Sequence, residues 1–164
     1  MSNYLIEGLS GTGKSSVCAE LHKRGYTVIE ADEVFGFYGD PATGLPTKEK
    51  IQANWIWDRN KVNCAIGKPL DHDVFVCGGS MNQDEFRPYF KKVFCLYVDD
   101  ETLKNRLLSR TNNDFGKHPE DLARQLEWNQ GTVKYAKEKG SILIDATKPL
   151  GRVVDEVLSH TSRI

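Results

Sequence analysis

The sequence predicts an α/β fold, a three-layer sandwich in which helices cover both faces of a five-stranded parallel sheet. Short and largely unbroken apolar runs recur along the chain, which is the pattern of strands buried on both faces. Segments of helical character separate these runs from end to end, and such alternation builds a parallel sheet. The 164 residues fit one domain. We find no internal repeat, low-complexity tract or linker.

The predicted strands are five apolar runs. They are Tyr4–Ile6, Tyr26–Ile29, Val74–Cys77, Val93–Val98 and Ile142–Ile144. Helical segments lie between and after them. They are Lys14–Arg24, the stretch from Thr47 to Ile66, Glu101–Arg110, a helix that begins at Pro119 and one that begins near Leu150. Leu103 and Leu107 lie one turn apart, and Pro119 suits the first turn of a helix.

Two segments are irregular. Residues 35–46 are rich in Gly and Pro, and residues 111–117 read TNNDFGK, a polar string of poor helix formers. Both patterns are typical of surface loops that can move.

The strongest local signal is a glycine-rich loop between the first strand and the first helix. Gly8-Leu9-Ser10-Gly11-Thr12-Gly13-Lys14-Ser15 matches GxxxxGK[ST] at every fixed position, in the strand–helix context that the motif requires. Glycines allow successive backbone N–H groups to face one anion, and the helix N-terminus adds its positive dipole end. We therefore predict a nucleoside triphosphate site. Its residues are Gly8, Ser10, Gly11, Thr12, Gly13, Lys14, Ser15 and Ser16.

Composition excludes several classes of protein. The formal net charge is -1, so no bulk basic surface indicates nucleic acid as a partner. The four cysteines form no CxxC pair, which excludes zinc-finger spacing, and three of them sit among apolar residues as small hydrophobes. The sequence shows no signal peptide, and its apolar runs are too short to span a bilayer. We expect a reduced, cytoplasmic protein without a membrane partner, either a monomer or a homodimer.

Two classes of P-loop protein fit poorly. A GTPase switch needs NKxD, and the only similar string, Asn60-Lys61-Val62-Asn63, lacks the Asp. Motor and clamp-loader ATPases end an apolar strand with an acid, whereas Val74–Cys77 is followed by Gly78-Gly79-Ser80. The acids instead follow the second strand, as Glu30-Ala31-Asp32-Glu33. Glu30 and Asp32 alternate at a sheet edge that lines the ligand crevice, although Asp32 as a helix N-cap remains an alternative.

At this point the sequence resembles the small P-loop kinases, such as shikimate kinase, gluconate kinase and the adenylate-kinase-like nucleotide kinases. The resemblance covers nearly the whole chain. It rests on Gly8–Ser15, the Glu30–Asp32 strand end, the Gly78-Gly79 turn, VFCLYVDDETLKNRLLSR at 93–110 and IDATKPL at 144–150. It implies one kinase domain of the P-loop NTPase type over 1–164, with an acceptor-binding segment at about 33–70 and a lid at about 111–118. It also implies ATP and Mg²⁺.

The resemblance implies roles around the acidic strand end. In shikimate-kinase-like enzymes the acid that matches Asp32 contacts the acceptor, and the acid that matches Glu30 helps to hold Mg²⁺ through water, with Ser15 as the other metal residue. Here a Glu stands where Asp is usual. Gly78-Gly79 resembles the acceptor-binding glycine turn, with Ser80 in place of a third glycine. An ordinary strand-end turn is the alternative.

The resemblance also implies cationic and adenine-binding residues. An arginine at the base of the lid contacts adenine or phosphate in this group, which favours Arg110 over Arg106, and Arg124 follows the lid and would supply charge to the transferring group. A solvated helix face is the alternative for each. Ala146–Pro149 resembles the loop that cups adenine, which gives Thr147, Lys148 and Pro149 as nucleotide-binding residues. With Lys14 and Asp32, Arg110 and Arg124 complete the predicted catalytic set.

The acceptor is less well specified. A carboxylate such as Asp32 can take the proton of an alcohol, whereas a phosphate acceptor needs several cations. Between residues 33 and 87 the only arginines are Arg59 and Arg87, which does not decide the matter. Phe35, Phe37, Tyr38, Trp55 and Trp57 could stack a planar base or form core. On a helix, Trp55 and Trp57 would face different ways.

The aromatic residues favour a nucleoside or nucleotide acceptor. A sugar acid or other hydroxylated metabolite is the alternative, because Asp58-Arg59 loosely resembles the arginine that grips a carboxylate in shikimate kinase. The predicted substrate-binding set is Asp32, Phe35, Arg59, Gly78 and Gly79. A third possibility is an ATP-binding regulatory or RNA-processing factor with weak ATPase activity, as some adenylate-kinase-like proteins are.

Overall fold

Parallel strands form the central sheet, as the sequence predicts. The computed structural model describes residues 2–111 and 113–161. The strands are β1 (Asn3–Glu7), β2 (Thr27–Glu30), β3 (Gly36–Tyr38), β4 (Trp55–Trp57), β5 (Val74–Cys77), β6 (Lys92–Tyr97) and β7 (Ile142–Asp145). The helices are α1 (Lys14–Lys23), α2 (Ala31–Val34), α3 (Arg59–Ile66), α4 (Asp100–Ser109), α5 (Pro119–Glu138) and α6 (Leu150–Ser159).

The main sheet has five strands in the order β2-β5-β1-β6-β7, all parallel. Its central strand, β1, is buried on both faces. Tyr4 and Ile6 belong to a core cluster with residues of α1, α4 and α6, while Leu5 belongs to a second cluster with residues of α3. This alternation explains why β1 reads as an unbroken apolar run. The three-layer α/β fold predicted from the sequence is confirmed.

The predicted helix from Thr47 to Ile66 is wrong in its first part. Only α3 is α-helical, and it begins after Asp58, whose Oδ1 accepts hydrogen bonds from the backbone N–H groups of Asn60 and Lys61. Before it, a 3₁₀ segment (Gln52–Asn54) leads into β4, which pairs antiparallel with β3. The aromatic residues of β4 favour a strand once a partner strand is available. That partner, β3, lies inside residues 35–46, which were predicted as a loop.

The cysteines fit the prediction of a reduced protein. All four are free; Cys18, Cys77 and Cys95 are buried, and Cys64 is exposed. Burial raises the pKa of Cys95 to about 12, so its thiol stays protonated. Within the described residues, the helices are all too short or too polar to cross a membrane.

Candidate active site

The glycine-rich loop joins β1 to α1 at the carboxyl edge of the sheet. Gly13 has φ 100°, a left-handed backbone conformation, and directly precedes the first residue of α1. A Cβ atom on Gly8 would lie 2.7 Å from the carbonyl oxygen of Leu96, so a side chain would displace the loop from β6. Thr12 is 1% exposed, and its Oγ1 donates to the carbonyl oxygen of Leu9 at 2.7 Å. The hydroxyl of Thr12 therefore stabilises the loop from within.

Lys14 folds back over this loop. Its Nζ donates to the carbonyl oxygens of Gly8 at 2.7 Å and Leu9 at 3.0 Å. An ammonium group has three N–H donors, so one remains for a ligand. Burial lowers the pKa of Lys14 below its ordinary value, and the nearby Asp32 carboxylate opposes this shift. The loop therefore holds a partly desolvated cation beside an anion.

A cavity of about 570 Å³, the large cavity, opens over the loop. Residues 10–16 line it, and so do Arg106, Arg110 and Lys148 from outside the loop. Its charged lining residues are four cations, counting Lys14, and one anion, Asp32. A cationic lining over a helix N-terminus suits a polyphosphate.

Two arginines of α4 and its C-terminus tie the loop to its surroundings. Arg110 donates from both Nη atoms to Ser10 Oγ at 3.2 Å and from Nη1 to Asn113 Oδ1 at 2.9 Å. Arg106 donates to the carbonyl oxygens of Thr12 at 3.2 Å and Ala146 at 2.8 Å. The sequence analysis ranked Arg106 below Arg110, yet both line the large cavity. Their spacing of one helical turn was the signal that they share a face.

A second cavity of about 140 Å³, the small cavity, adjoins the first. Lys14, Ser15 and Asp32 line both cavities and therefore mark their boundary. The rest of the small cavity is lined by two further carboxylates, two thiols and a glycine. They are Glu30, Glu33, Cys18, Cys77 and Gly78. Its charged lining is thus three anions and one cation, the opposite balance to the large cavity.

Asp32 is held at one of its two carboxylate oxygens. Oδ1 accepts hydrogen bonds from Trp57 Nε1 at 3.2 Å, Trp55 Nε1 at 3.3 Å and the backbone N–H of Gly79 at 3.4 Å. Within the described parts of the chain, Oδ2 accepts none, and so it is available to a ligand. The alternative that Asp32 caps a helix does not hold, since the N-cap of α2 is Glu30 and Asp32 lies in its first turn.

Trp55 and Trp57 reach the same carboxylate because they are two apart on a strand, and alternate strand residues share a face. The sequence analysis placed them on a helix and expected them to diverge. The position of the Trp55 ring requires a glycine at residue 36, because a Cβ atom on Gly36 would lie 2.2 Å from Trp55 Cζ2. The Tyr38 ring packs edge-on against Trp55, with centroids 5.1 Å apart. Neither tryptophan was among the predicted site residues.

Several predicted site residues lie outside both cavities. Phe35 is 1% exposed and packs in the core edge-on against Trp57, so its ring supports Trp57 and has no surface for a substrate. Arg59 forms an ion pair with Glu85 at 2.7 Å. The side chain of Arg124 is 47% exposed and lies 3.7 Å from Asp121, on the solvated helix face that was its alternative. Thr147 and Pro149 flank Lys148 without lining the large cavity, and Gly8 begins the loop beneath it.

A buried polar network at the start of the loop escaped sequence reasoning altogether. Glu7 is 2% exposed, and its carboxylate accepts hydrogen bonds from Arg87 at 2.9 Å, Gln83 at 2.7 Å and Ser141 at 2.8 Å. Arg87 also donates to Asp84 at 2.8 Å. Burial opposes the ionisation of Asp84, but hydrogen bonds from Lys139, Arg87 and Tyr135 lower its pKa to about 2. The network fixes the end of β1 from which the loop departs.

Comparison with known proteins agrees with this geometry. Residues 5–127 match a family model described as an AAA domain. A dephospho-CoA kinase from Streptococcus pyogenes serotype M1 is 22% identical in an alignment of 193 positions, gaps included, that covers 94% of this chain and 95% of the relative.

Two solved structures show the same fold. A gluconokinase from Sinorhizobium meliloti 1021 superposes with a TM-score of 0.57 at 22% identity, covering 96% of this chain and 90% of that one. A deoxyadenosine kinase from M. mycoides with bound dATP superposes with a TM-score of 0.62 at 14% identity, covering 97% and 98%. The resemblance to small P-loop kinases is confirmed.

Proposed function

This chain belongs to the AAA domain family, and we propose that it is an ATP-dependent kinase that moves the γ-phosphoryl group of ATP to a hydroxyl group of a small molecule. One observation carries the proposal. Lys14, Ser15 and Asp32 stand at the boundary of two adjoining cavities of opposite charge balance. A cationic cavity that fits a triphosphate therefore opens onto a second cavity beside a carboxylate.

The large cavity would hold ATP. Phosphoryl transfer asks the protein mainly for positioning and for stabilisation of charge on the moving group. Lys14 retains one N–H donor for an outer phosphate, and Arg106 and Arg110 bring two further cations to the same lining. Lys148, a residue of the proposed adenine loop, also lines the cavity.

The oxygen ligands that Mg²⁺ prefers are present at the boundary of the two cavities. Ser15 offers a hydroxyl, and Glu30 offers a carboxylate that lines the small cavity with it. Among the described residues no three His, Cys, Asp or Glu side chains gather into a metal-binding group. This fits an ion that one or two side chains hold together with phosphate and water. When bound, Mg²⁺ would neutralise charge on the phosphates.

Asp32 is proposed to accept the proton of the acceptor hydroxyl. Oδ1 is fixed by the two indole N–H groups and by Gly79, while Oδ2 is available to the hydroxyl. A base held in one orientation needs little reorganisation when the substrate arrives. The proton would move to Oδ2 as the hydroxyl oxygen bonds to the γ-phosphorus and the bond from that phosphorus to the β–γ bridging oxygen breaks, which releases ADP.

Residues 111–118 are proposed to close over the reacting groups and exclude water, which competes as an acceptor. Arg110 already joins the loop to this segment through Ser10 and Asn113. Gln125 of α5 donates to Gln52 at 3.2 Å, which links the helix after the proposed lid to the proposed acceptor-binding segment at 33–70.

The acceptor is proposed to carry a ring, as in a nucleoside or nucleotide, because β3 and β4 place aromatic residues next to Asp32. A sugar acid or other hydroxylated metabolite is the alternative. ADP formation should be measured with Mg-ATP and a panel of nucleosides, nucleotides, sugar acids and polyols. We expect ADP in large excess over the background rate with particular acceptors. ADP formation that ignores every acceptor would instead favour a regulatory ATP-binding factor with weak ATPase activity.

The Asp32→Asn variant tests the proton transfer within the same assay. We expect kcat to fall about 100-fold, since general base catalysis contributes roughly 10²–10⁴-fold. ATP affinity, measured by calorimetry, should change far less. Asp71→Asn, at an exposed aspartate outside both cavities and outside residues 33–70, is the matched control. An equal loss of rate and of ATP affinity would show that Asp32 serves the metal or the fold.

A further inference from the structure

We propose that the acceptor is a hydroxylated small molecule that carries neither a phosphate nor a carboxylate group. This inference rests on the proposed kinase function and narrows its substrate class. It selects a nucleoside over a nucleotide, and a neutral polyol over a sugar acid. Its basis is the set of charges around Asp32 and the partners already taken by the nearby arginines.

The small cavity is anionic. Glu30, Asp32 and Glu33 line it, and among the described residues Lys14, which also lines the large cavity, is its single lining cation. The remaining donor of Lys14 is committed to ATP in the proposed mechanism. An anionic group on the acceptor would therefore meet three carboxylates, and like charges repel one another. A magnesium ion that arrives with ATP does not remove this excess of negative charge, because the triphosphate carries more negative charge than the ion neutralises.

Arg59 lines neither cavity, and its charge is already offset by a carboxylate of this chain. Its Nε and Nη2 atoms each donate to a different carboxylate oxygen of Glu85 at 2.7 Å, and Nη2 also donates to the carbonyl oxygen of Pro41 at 3.3 Å. A bidentate pair of this kind uses the face of the guanidinium that would otherwise bind a ligand carboxylate or phosphate. The resemblance of Asp58-Arg59 to a carboxylate-gripping arginine is therefore not matched by its contacts.

Arg87 is held even more firmly. Its Nη2 donates to both oxygens of Glu7, at 2.9 and 3.0 Å, and its Nε donates to Asp84 at 2.8 Å. Glu7 is 2% exposed, so a movement of Arg87 towards a ligand would leave a buried carboxylate without its cation. Both arginines that the sequence offers between residues 33 and 87 are thus bound to carboxylates of this chain.

The lysines between residues 33 and 87 add no positive charge to the lining of the small cavity. All four are exposed, and none contributes to the lining of either cavity as the described residues define it. They are Lys48, Lys50, Lys61 and Lys68. The carboxylates of Glu30, Asp32 and Glu33 remain as hydrogen-bond acceptors in the small cavity, and hydroxyl groups of an uncharged molecule can donate to them.

Matched pairs of acceptors test the proposal. Each comparison adds one anionic group and keeps a free hydroxyl group: for each common base, a nucleoside against its 3′-monophosphate and its 5′-monophosphate, so that the hydroxyl at the other position stays free, and sorbitol against gluconate. With saturating Mg-ATP, we expect kcat/KM for the neutral member of the productive pair to exceed that of the anionic member at least about tenfold, because like-charge juxtaposition is strongly unfavourable. An anionic member that reacts as well or better would overturn the proposal and leave the kinase function standing. If no member of any pair gave ADP above background, the kinase function and this inference would both fail.

A charge change in the small cavity provides an independent readout. Glu33→Lys should reduce the preference for the neutral member at least about threefold, with Glu33→Gln intermediate. Glu127→Lys, the same change at an exposed position of α5 outside both cavities, is the control and should leave the preference unchanged. If Glu33→Lys altered the preference no more than Glu127→Lys does, the acidic lining would not set the acceptor class and the proposal would be wrong.

Discussion

The two adjoining cavities of this molecule are built in opposite ways. Half of the residues that line the large cavity belong to one contiguous stretch, residues 10–17, and further cations come from α4, its C-terminal cap and the segment before α6. The small cavity draws its residues from α1, the β2–α2 junction and the end of β5, and it is acidic. The phosphate-binding half of a kinase can thus be encoded by a motif, whereas the half that selects the acceptor depends on how distant segments meet.

The largest expected effect is the loss of activity when Lys14, the cation that lines both cavities, is replaced. Lys14→Ala should lower kcat/KM by roughly 10²–10³-fold or more, because it removes charge stabilisation from the transferring group. The steady-state rate of ADP formation with the productive acceptor measures this. Lys137→Ala, at an exposed lysine of α5 that lines neither cavity, is the control. A Lys14→Ala variant that is folded by circular dichroism and nearly as fast as the native protein would remove the glycine-rich loop from the mechanism.

The next effect is on the free energy of unfolding, and it separates the two arginines found between residues 33 and 87. Arg87→Met strands the buried carboxylate of Glu7 and should lower the free energy of unfolding by about 3–5 kcal/mol. Arg59→Met breaks a half-exposed pair with Glu85 and should cost only about 0–1 kcal/mol. Urea denaturation followed by fluorescence measures both. Equal losses for the two variants would contradict the distinction between a buried structural arginine and a surface pair.

A smaller loss of kcat is expected when one of the hydrogen bonds that position Asp32 is removed. Trp55→Phe keeps most of the ring but removes one N–H donor from Oδ1. Since the bond is long at 3.3 Å, we expect kcat to fall about tenfold or less, at the lower limit for hydrogen bonds to charged groups.

ATP affinity should be unchanged in Trp55→Phe, because the indole does not line the large cavity. Trp128→Phe on α5 is the matched control. The positioning role of Trp55 would be refuted by a variant that loses ATP affinity and kcat together, or by one that loses neither.

The smallest expected effect is on the pH dependence of ATP affinity. Burial lowers the pKa of Lys14, so the ammonium group loses its proton below the ordinary value of 10.5, and Asp32 opposes the shift. ATP affinity should therefore fall as the pH rises through this lowered pKa. In Asp32→Asn the opposing charge is gone, so the fall should begin at a lower pH than in the native protein. Calorimetric titrations with ATP across the alkaline range measure this. A shift to higher pH would contradict the electrostatic link between the two cavities.

The sequence predicted the large cavity well because its chemistry is local. Glycines, Lys14 and Ser15 follow one another between a strand and a helix, so their spacing alone specifies the phosphate site. The five strands of the sheet were predictable for a similar reason, since burial on both faces leaves unbroken apolar runs.

The small cavity was only partly predictable because its contacts are made between distant residues. Asp32 was identified from the end of β2, but its donors Trp55 and Trp57 reach it only because β4 pairs with β3. The partner of Arg87 lies 80 positions away, at Glu7. Local propensity carries no information on such pairings, and so Phe35 and Arg59 were assigned to the substrate when they serve the core and a surface ion pair.

The most direct test of the account is to follow the terminal phosphoryl group itself. Native protein should be incubated with ATP labelled at the γ-phosphate and the productive acceptor, and the label should be counted in organic product and in inorganic phosphate. We predict that most of the label enters the product, and that Asp32→Asn slows this transfer far more than it weakens ATP binding. Label that appears only in inorganic phosphate, at a rate independent of every acceptor, would contradict the transfer between the two cavities.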